Sequence, residues 1–322
     1  MLAGIIRAIG IACVLTALPL ALAHAQAPSY LLTWGSHGTG PGQFDAPAGV
    51  AVDAQGIVYV IDNYSHRIEK FDAMGTYLGE IALPPQCMPV DLSIDANGIM
   101  YLPDIGRERV LKLTTAGVVL AEWGLLGGAP GYFNDPGGVA TDAAGNVYVA
   151  DSGNSRIQKF TSNGTYLTEW GYEGNADGLF SYASDVLVDA QDNVYVTDSR
   201  NSRIQKFTSS GEFITKWGSE GSGDGQFKGP TRLALDAAGN IYVTDRTNFR
   251  VQEFTNTGVF LAKWGSFGYG PGLFAQPEGI AFDSAGNVYV SDYGYFTVQK
   301  FGQLPTPATL ATWGRLKATY RR

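Results

Sequence analysis

Asp142-Ala-Ala-Gly-Asn-Val-Tyr-Val-Ala-Asp151-Ser-Gly-Asn-Ser-Arg156-Ile-Gln-Lys-Phe160 recurs in closely related form along almost the whole chain. Aligned on the Asp before the first turn, the copies fall at Asp53, Asp95, Asp142, Asp189, Asp236 and Asp283, spaced by 42 residues once and then by 47 four times. A fixed period of that length belongs to repeat architectures, in which each unit is one supersecondary motif. Asn146 to Ala150 and Arg156 to Phe160 are runs rich in Val, Ile, Tyr and Phe bounded by Gly, Asn, Asp and Ser, which is strand and hairpin chemistry. Every copy ends its first run on an Asp, at Asp62, Asp104, Asp151, Asp198, Asp245 and Asp292, and five of the six follow with Arg67, Arg109, Arg156, Arg203 and Arg250.

After the arginine the strand closes on Phe or Leu, a turn such as Thr161-Ser-Asn-Gly164 intervenes, and a further strand ends in Trp-Gly. The tryptophans are Trp34, Trp123, Trp170, Trp217, Trp264 and Trp313. Upstream, Gly138-Val-Ala-Thr-Asp142 supplies another strand, so each copy holds four. Four-stranded antiparallel units repeated round an axis make an all-β, six-bladed β-propeller. Sandwiching each blade between two others accounts for near-continuous apolar runs such as Val147-Tyr148-Val149. An open solenoid would need polar capping repeats at its ends, and here the ends read as a matched strand pair. Six core stretches are accompanied by seven candidate outer strands. The surplus predicts that Tyr30 to Trp34 takes the outer place in blade six and closes the ring, while Leu310 to Trp313 is displaced to the edge or competes for that place.

Met1 to Ala25 carries one early cation, Arg7, an apolar run from Ala8 to Ala23 and a small-x-small cleavage site at Ala23-His24-Ala25, the pattern of a secretory signal peptide. The expected division is therefore a signal at 1–25, the propeller at 26–314 and a basic, solvated tail at 315–322. No second apolar run approaches the roughly 20 residues needed to span a bilayer, so a secreted or periplasmic protein is expected. Cys87 is alone after cleavage, which rules out an internal disulfide and suits a small buried apolar residue. Net charge is -8, and -9 without the segment bearing Arg7. Nucleic acid is disfavoured as a partner, because that binding is dominated by Lys and Arg neutralising phosphates.

The recurring Asp and Arg invite a catalytic reading, but a catalytic group is needed once and these occur five or six times. They read as ion pairs or loop hydrogen bonds that fix the strand-to-strand turn. Thr297 replaces the arginine in blade six, so Asp292 is expected to face solvent or a ligand. The Gly-rich connectors, such as Gly218 to Phe227, lack the Gly-Lys-Ser/Thr ending and following helix of a phosphate loop. The Asp-x-x-Gly-Asn turns lack the alternating oxygens of a calcium loop. More information lies where the copies disagree. Four residues before each repeat Asp stand Gly49, Asp91, Gly138, Asp185, Arg232 and Gly279, which places three charges beside the channel mouth with Glu278 next to them. The loop before the third strand adds Tyr64 and His66, Phe249, and Tyr293, Tyr295 and Phe296. Blades five, six and one are neighbours in a closed ring, so these aromatics form a crescent suited to a sugar, a peptide or a partner protein. Blade-to-blade packing is the alternative, above all for Phe249 and Phe296.

Asp151-Ser-Gly-Asn-Ser-Arg-Ile-Gln-Lys-Phe160 and Asp198-Ser-Arg-Asn-Ser-Arg-Ile-Gln-Lys-Phe207 resemble the NHL repeat, and the resemblance covers Tyr30 to about Gly314. It implies a six-bladed propeller and leaves function open, since one fold hosts many functions. NHL-type propellers include a zinc-dependent lyase acting on peptidyl-hydroxyglycine, and similar folds include calcium-dependent lactonases. Only His37 and His66 remain after cleavage, too few for a three-histidine zinc site. A zinc or calcium ion held by Asp91, Asp185 and Glu278 is the alternative, weakened by Arg232 beside them. RNA binding, as in some animal relatives, needs a basic face that this acidic chain lacks. The sequence thus favours an exported, non-enzymatic module without a cofactor that binds a protein, peptide or glycan at its channel mouth. A metal-assisted lyase or hydrolase is second.

Overall fold

The computed structural model describes residues 27–302, all strands, turns and two single-turn 3-10 helices. Six four-stranded antiparallel sheets form the blades of a propeller. Blade three is typical, with strands Pro136–Thr141, Val147–Asp151, Arg156–Phe160 and Tyr166–Trp170 running from the channel outward. The outer strand of blade six is Ser29–Trp34, which pairs with Thr297–Gly302 through Trp34 opposite Val298. The ring is therefore closed by the N-terminal strand. The signal segment, the copy at Leu310 to Trp313 and the basic tail lie outside the described residues.

Two apolar contacts repeat around the ring and set blade spacing. The Phe that ends each Gly-rich connector is fully buried, at Phe44, Phe133, Phe180, Phe227 and Phe274, and packs on the closing Phe of the third strand. Phe180 lies 5.5 Å from Phe207, and Phe133 lies 5.6 Å from Phe160. Burying one such ring stabilises by about 1.5–3 kcal/mol, and truncating it to Ala costs about 3–5 kcal/mol because a cavity remains. Trp34, Trp123, Trp170 and Trp217 of the outer strands then each cover a turn glycine of the next blade. A Cβ on Gly211, whose φ is +87°, would sit 2.6 Å from the Trp170 ring, so no side chain is accommodated there. Trp34 covers Gly75 of blade one in the same way. In blade two, where the connector is short and lacks the Phe, Cys87 is buried and the inner strand shrinks to Ser93–Ile94.

The recurring acid is a hub for the connector loop. Asp62, Asp104, Asp151, Asp198 and Asp245 are wholly buried and meet the Nε of Arg67, Arg109, Arg156, Arg203 and Arg250 at 2.7–3.2 Å. Asp151 also accepts hydrogen bonds from the Asn134 amide, Asn154 and Gln158, while Arg156 donates to the carbonyls of Gly128, Ala129 and Tyr132. Both charges are thus desolvated and fully partnered, the condition under which burial is tolerable. Blade six departs from the sequence expectation. Asp292 does not face solvent or ligand; it is buried, and the backbone amides of Ala275, Gln276, Gly294 and Tyr295 replace the missing arginine. Carboxylates accept four such bonds readily, so loss of the cation leaves no open oxygen.

Candidate functional site at the channel mouth

Inner strands shift register near their start, for example between Pro136 and Val139 and between Pro230 and Leu233, which turns amides of this stretch toward the channel. Two of these amides are capped by carboxylates from other blades. Asp91 accepts from Val139 at 3.0 Å and Asp185 accepts from Leu233 at 2.7 Å. The alternation of Gly with Asp has a steric reason, because a Cβ on Gly138 would lie 2.1 Å from Asp185 Oδ1 and one on Gly49 would lie 2.8 Å from the Asp91 Cα.

Arg232 is enclosed at the centre of this ring. From blade five it donates to the Ser184 carbonyl of blade four and, across the channel, to the Val90 carbonyl of blade two, both at 2.9 Å. Its Nε is 4.0 Å from Asp91 and its Nη2 is 3.9 Å from Glu278. These separations exceed a direct hydrogen bond, so the attraction is coulombic. Burial lowers the Arg232 pKa, yet the charges of Asp91, Asp185 and Glu278 win and raise it above its ordinary value. Burial pushes Asp91 up, and burial together with the Asp91 charge pushes Asp185 well up. The guanidinium stands among the three acids where a bound cation would otherwise be expected. Among the described residues no group of three or more His, Cys, Asp or Glu side chains has metal-holding geometry.

Arg232 and its carboxylates separate two halves of the channel. Below lies a tunnel of about 240 Å³ walled by inner-strand residues such as Val186, Leu233 and Phe282, with Asp91 and Asp185 also on its lining. Above lies a cup of about 540 Å³, within the range of small-ligand sites. Its wall is built from the two loops that the repeat alignment places on one face: the residues entering each inner strand and those just after each buried repeat Asp. Tyr64 and Tyr293 meet at the rim, hydroxyl to hydroxyl at 3.5 Å, and the Arg246 guanidinium lies 5.4 Å from the Tyr293 ring centre. Arg246 also donates to Gln276 at 2.7 Å and stands 3.6 Å from Glu278. On the opposite wall Tyr182 donates to Asp135 at 2.5 Å, and burial and that carboxylate push its phenol up. The Ser184 and Ser199 hydroxyls are hydrogen-bonded to each other at 2.5 Å.

The sequence-derived residues therefore divide. Tyr64, Arg232, Glu278 and Tyr293 line the cup, with Asp91 and Asp185 beneath it. His66, Phe249, Tyr295 and Phe296 do not, which corrects the single crescent. His66, Phe249 and Phe296 share one alignment column and a left-handed backbone, with φ of 51°, 57° and 57°, and this turns the side chain from the channel to the outer rim. His66 bonds the Cys87 carbonyl at 2.8 Å, Phe249 packs on Phe267 at 5.0 Å, and Phe296 packs on His37 at 4.5 Å. Tyr295 packs on the exposed Tyr269 at 5.2 Å. Sequence reasoning missed Asn63, Asp135, Tyr182, Arg246 and Thr247 in the cup wall. A signal was present: seven residues before the repeat Asp the copies read Ala46, Met88, Asp135, Tyr182, Gly229 and Gln276, a column as variable as the one chosen.

Six antiparallel blades round a partly blocked axis define a repeat-built β-propeller. The NHL repeat model matches residues 44–71, 133–160, 180–207, 227–254 and 274–301, and the chain is an NHL-repeat protein. Blade two, with its short connector and Cys87, is the unmatched copy. The chain has no significant match among curated proteins. Among solved structures it is similar to a Bacteroides thetaiotaomicron protein of unknown function, at 17% identity and a TM-score of 0.71 over 86% of this chain and 76% of that one. It is also similar to virginiamycin B lyase from Staphylococcus aureus, at 16% identity and a TM-score of 0.59 over 80% and 95%. A third is an auxiliary nutrient binding protein from Bacteroides thetaiotaomicron, at 14% and 0.65 over 85% and 75%. At these identities the likeness is one of fold.

Proposed function

We propose that this protein is an exported binding module that receives a peptide, protein or glycan in the cup above Arg232 and performs no chemistry on it. The observation that carries this reading is the state of the buried charges. Asp91 and Asp185 each spend an oxygen on an inter-blade amide, and Arg232 lies among them and Glu278 with its two terminal nitrogens given to carbonyls. Groups held this way brace the ring across blades, and a guanidinium already stands among the acids. The exposed wall instead offers hydroxyls, amides and two tyrosine rings, the chemistry of recognition. Export rests on the segment at 1–25, and no helix among the described residues is long and apolar enough to cross a membrane. Nutrient binding, the property named for one structural neighbour, is of the same kind.

A metal-assisted lyase or hydrolase is the second reading, favoured by the raised pKa of Asp91 and Asp185 and by the lyase among the structural neighbours. The two readings separate in one experiment. Thermal melting of the purified protein is followed with a panel of oligosaccharides, peptides and divalent cations, alongside its metal content. The binding reading predicts stabilisation by an organic ligand, no dependence on chelator, and recovery of the ligand unchanged. About one equivalent of zinc or calcium whose removal lowers the melting point, or conversion of the ligand, would overturn it.

A further inference from the structure

We propose that the ligand of the cup is a neutral glycan, seated against the wall formed by blades five, six and one. This inference rests on the binding reading above and names its ligand class. That wall carries Asn63, Tyr64, Arg246, Thr247, Glu278 and Tyr293, and three features of it select among ligand chemistries.

The first is balance of donors and acceptors. Asn63 is 7% exposed and its Oδ1 has no protein partner, and Glu278 Oε2 is likewise without a hydrogen bond. Beside these acceptors stand donors: the Thr247 hydroxyl, the two tyrosine hydroxyls held at a long 3.5 Å from one another, and Arg246. A ligand that satisfies both kinds must itself both donate and accept at closely spaced points. A sugar hydroxyl does both with one atom. An unmet buried acceptor costs about 1–3 kcal/mol, so a ligand that reaches one by a small side-chain rotation gains specificity.

The second is charge. Arg246 is already engaged by Gln276 and Glu278 and lies by the Tyr293 ring, while Arg232 is surrounded by three acids. A carboxylate or phosphate would have to displace Glu278, and a cation would have to approach two arginines. Neither sign of charge is favoured, and a neutral ligand avoids both penalties.

The third is shape and polarity. Tyr64 is 55% exposed and, with Tyr293, presents aromatic surface at the rim. The adjoining stretch on blades one and two is apolar, with Ala48, Met88, Val90 and Ile105. A pyranose is polar at its edge and apolar on its C–H face, and it matches this pairing of a polar wall with an apolar one. A peptide bound in extended form draws its main-chain bonds from an open sheet edge. The cup is bounded by loops and by the bulged starts of strands already paired within their blades, so it offers no such edge.

The test uses the whole chain after signal removal, with microarrayed and then titrated malto-, cello-, xylo- and manno-oligosaccharides, acidic oligogalacturonides, and a random peptide library as probes. Binding of a neutral oligosaccharide is expected to change by less than about twofold between low and high salt, because no net charge is neutralised. Tyr64→Ala with Tyr293→Ala should weaken it at least tenfold, and Glu278→Gln several-fold. Both variants are to be checked for an unchanged melting point, and Thr247→Val serves as a milder probe of the same wall. Binding only of acidic saccharides or of peptides, lost in the tyrosine variant, would overturn the neutral-glycan assignment while leaving the cup as a binding site. Neutral-glycan binding that survives the tyrosine variant would overturn the assignment of this wall. No binding by any class would overturn the binding reading as well.

Discussion

Asp151 and Asp185 are both enclosed carboxylates on neighbouring blades, and they carry opposite messages. Asp151 belongs to a column that reads Asp in every copy, and both its oxygens are bonded, by Arg156, Asn154, Gln158 and the Asn134 amide. Asp185 belongs to a column that reads Gly, Asp, Gly, Asp, Arg and Gly, and its Oδ1 has no partner. In both, burial raises the pKa, but many bonds oppose this at Asp151, whereas at Asp185 the Asp91 charge adds to it. Repetition within one chain thus marks what every blade needs to fold. A break in repetition, with charge left less than fully satisfied, marks what the molecule needs only once.

Four variants sharpen or break that contrast. Asp151→Ala should have the largest effect on stability, at the top of the range of about 3–5 kcal/mol seen when one member of a buried pair is removed, since Arg156 stays buried. Urea unfolding measures it, and a loss below about 1 kcal/mol would deny the repeat acid its role as hub. Arg232→Met should cost on the order of 3 kcal/mol near pH 8 and less at pH 5. The sign follows from Asp91 and Asp185, whose folded pKa values are raised. Stability from such groups is full below their unfolded pKa and falls as pH rises through the folded one, and removing the cation raises the folded values further. A pH-independent loss would show that Arg232 acts by packing alone.

Blade one supplies a third, smaller test. Gln158, Gln205, Gln252 and Gln299 each donate a 2.7 Å bond to a connector carbonyl, but blade one has Glu69 in that place. Its Oε1 accepts from the Gly42 amide and lies 3.0 Å from the Arg67 guanidinium, and its Oε2 is buried with no partner. Only the protonated acid can donate as glutamine does. Burial, against the opposing Arg67 charge, pushes Glu69 up to about 7, with Asp62 and Glu80 adding like charge. A raised carboxyl pKa means stability is present below about 4.5 and lost as pH rises through about 7. Glu69→Gln should therefore stabilise by about 1–2 kcal/mol at pH 8 and by nearly nothing at pH 5, in melting curves at the two pH values. Smallest of all on stability is Tyr64→Ala with Tyr293→Ala, about 0.5–1 kcal/mol for one exposed and one half-buried rim position, although ligand binding should collapse.

The ring was legible because its causes are local and periodic: turn glycines, the Asp hub and the closing Phe recur at fixed spacing, and the surplus outer strand could be counted. The face on which variable residues gather was legible for the same reason. What could not be read was reach and direction. Nothing near Arg232 in sequence indicates that its side chain crosses the channel to the Val90 carbonyl. The left-handed backbone that turns Phe249 and Phe296 outward is also adopted by Ser155 and Ser202 in the same column, so residue type gave no warning. Asp292 appeared bereft because amide donors of its own loop are invisible to an inventory of side chains.

The most direct test of the central claim, that the non-repeating cup is the site, is amide hydrogen exchange with and without the compound that most stabilises the wild-type protein in the binding panel. Protection on binding should concentrate in the loops around Asn63–Tyr64, Tyr182–Ser184, Gly229–Arg232, Arg246–Thr247 and Tyr293, with the outer strands and the turns leading into them, such as 161–164, unchanged. Protection confined to the outer rim or to the lower tunnel, with the cup unaffected, would contradict it.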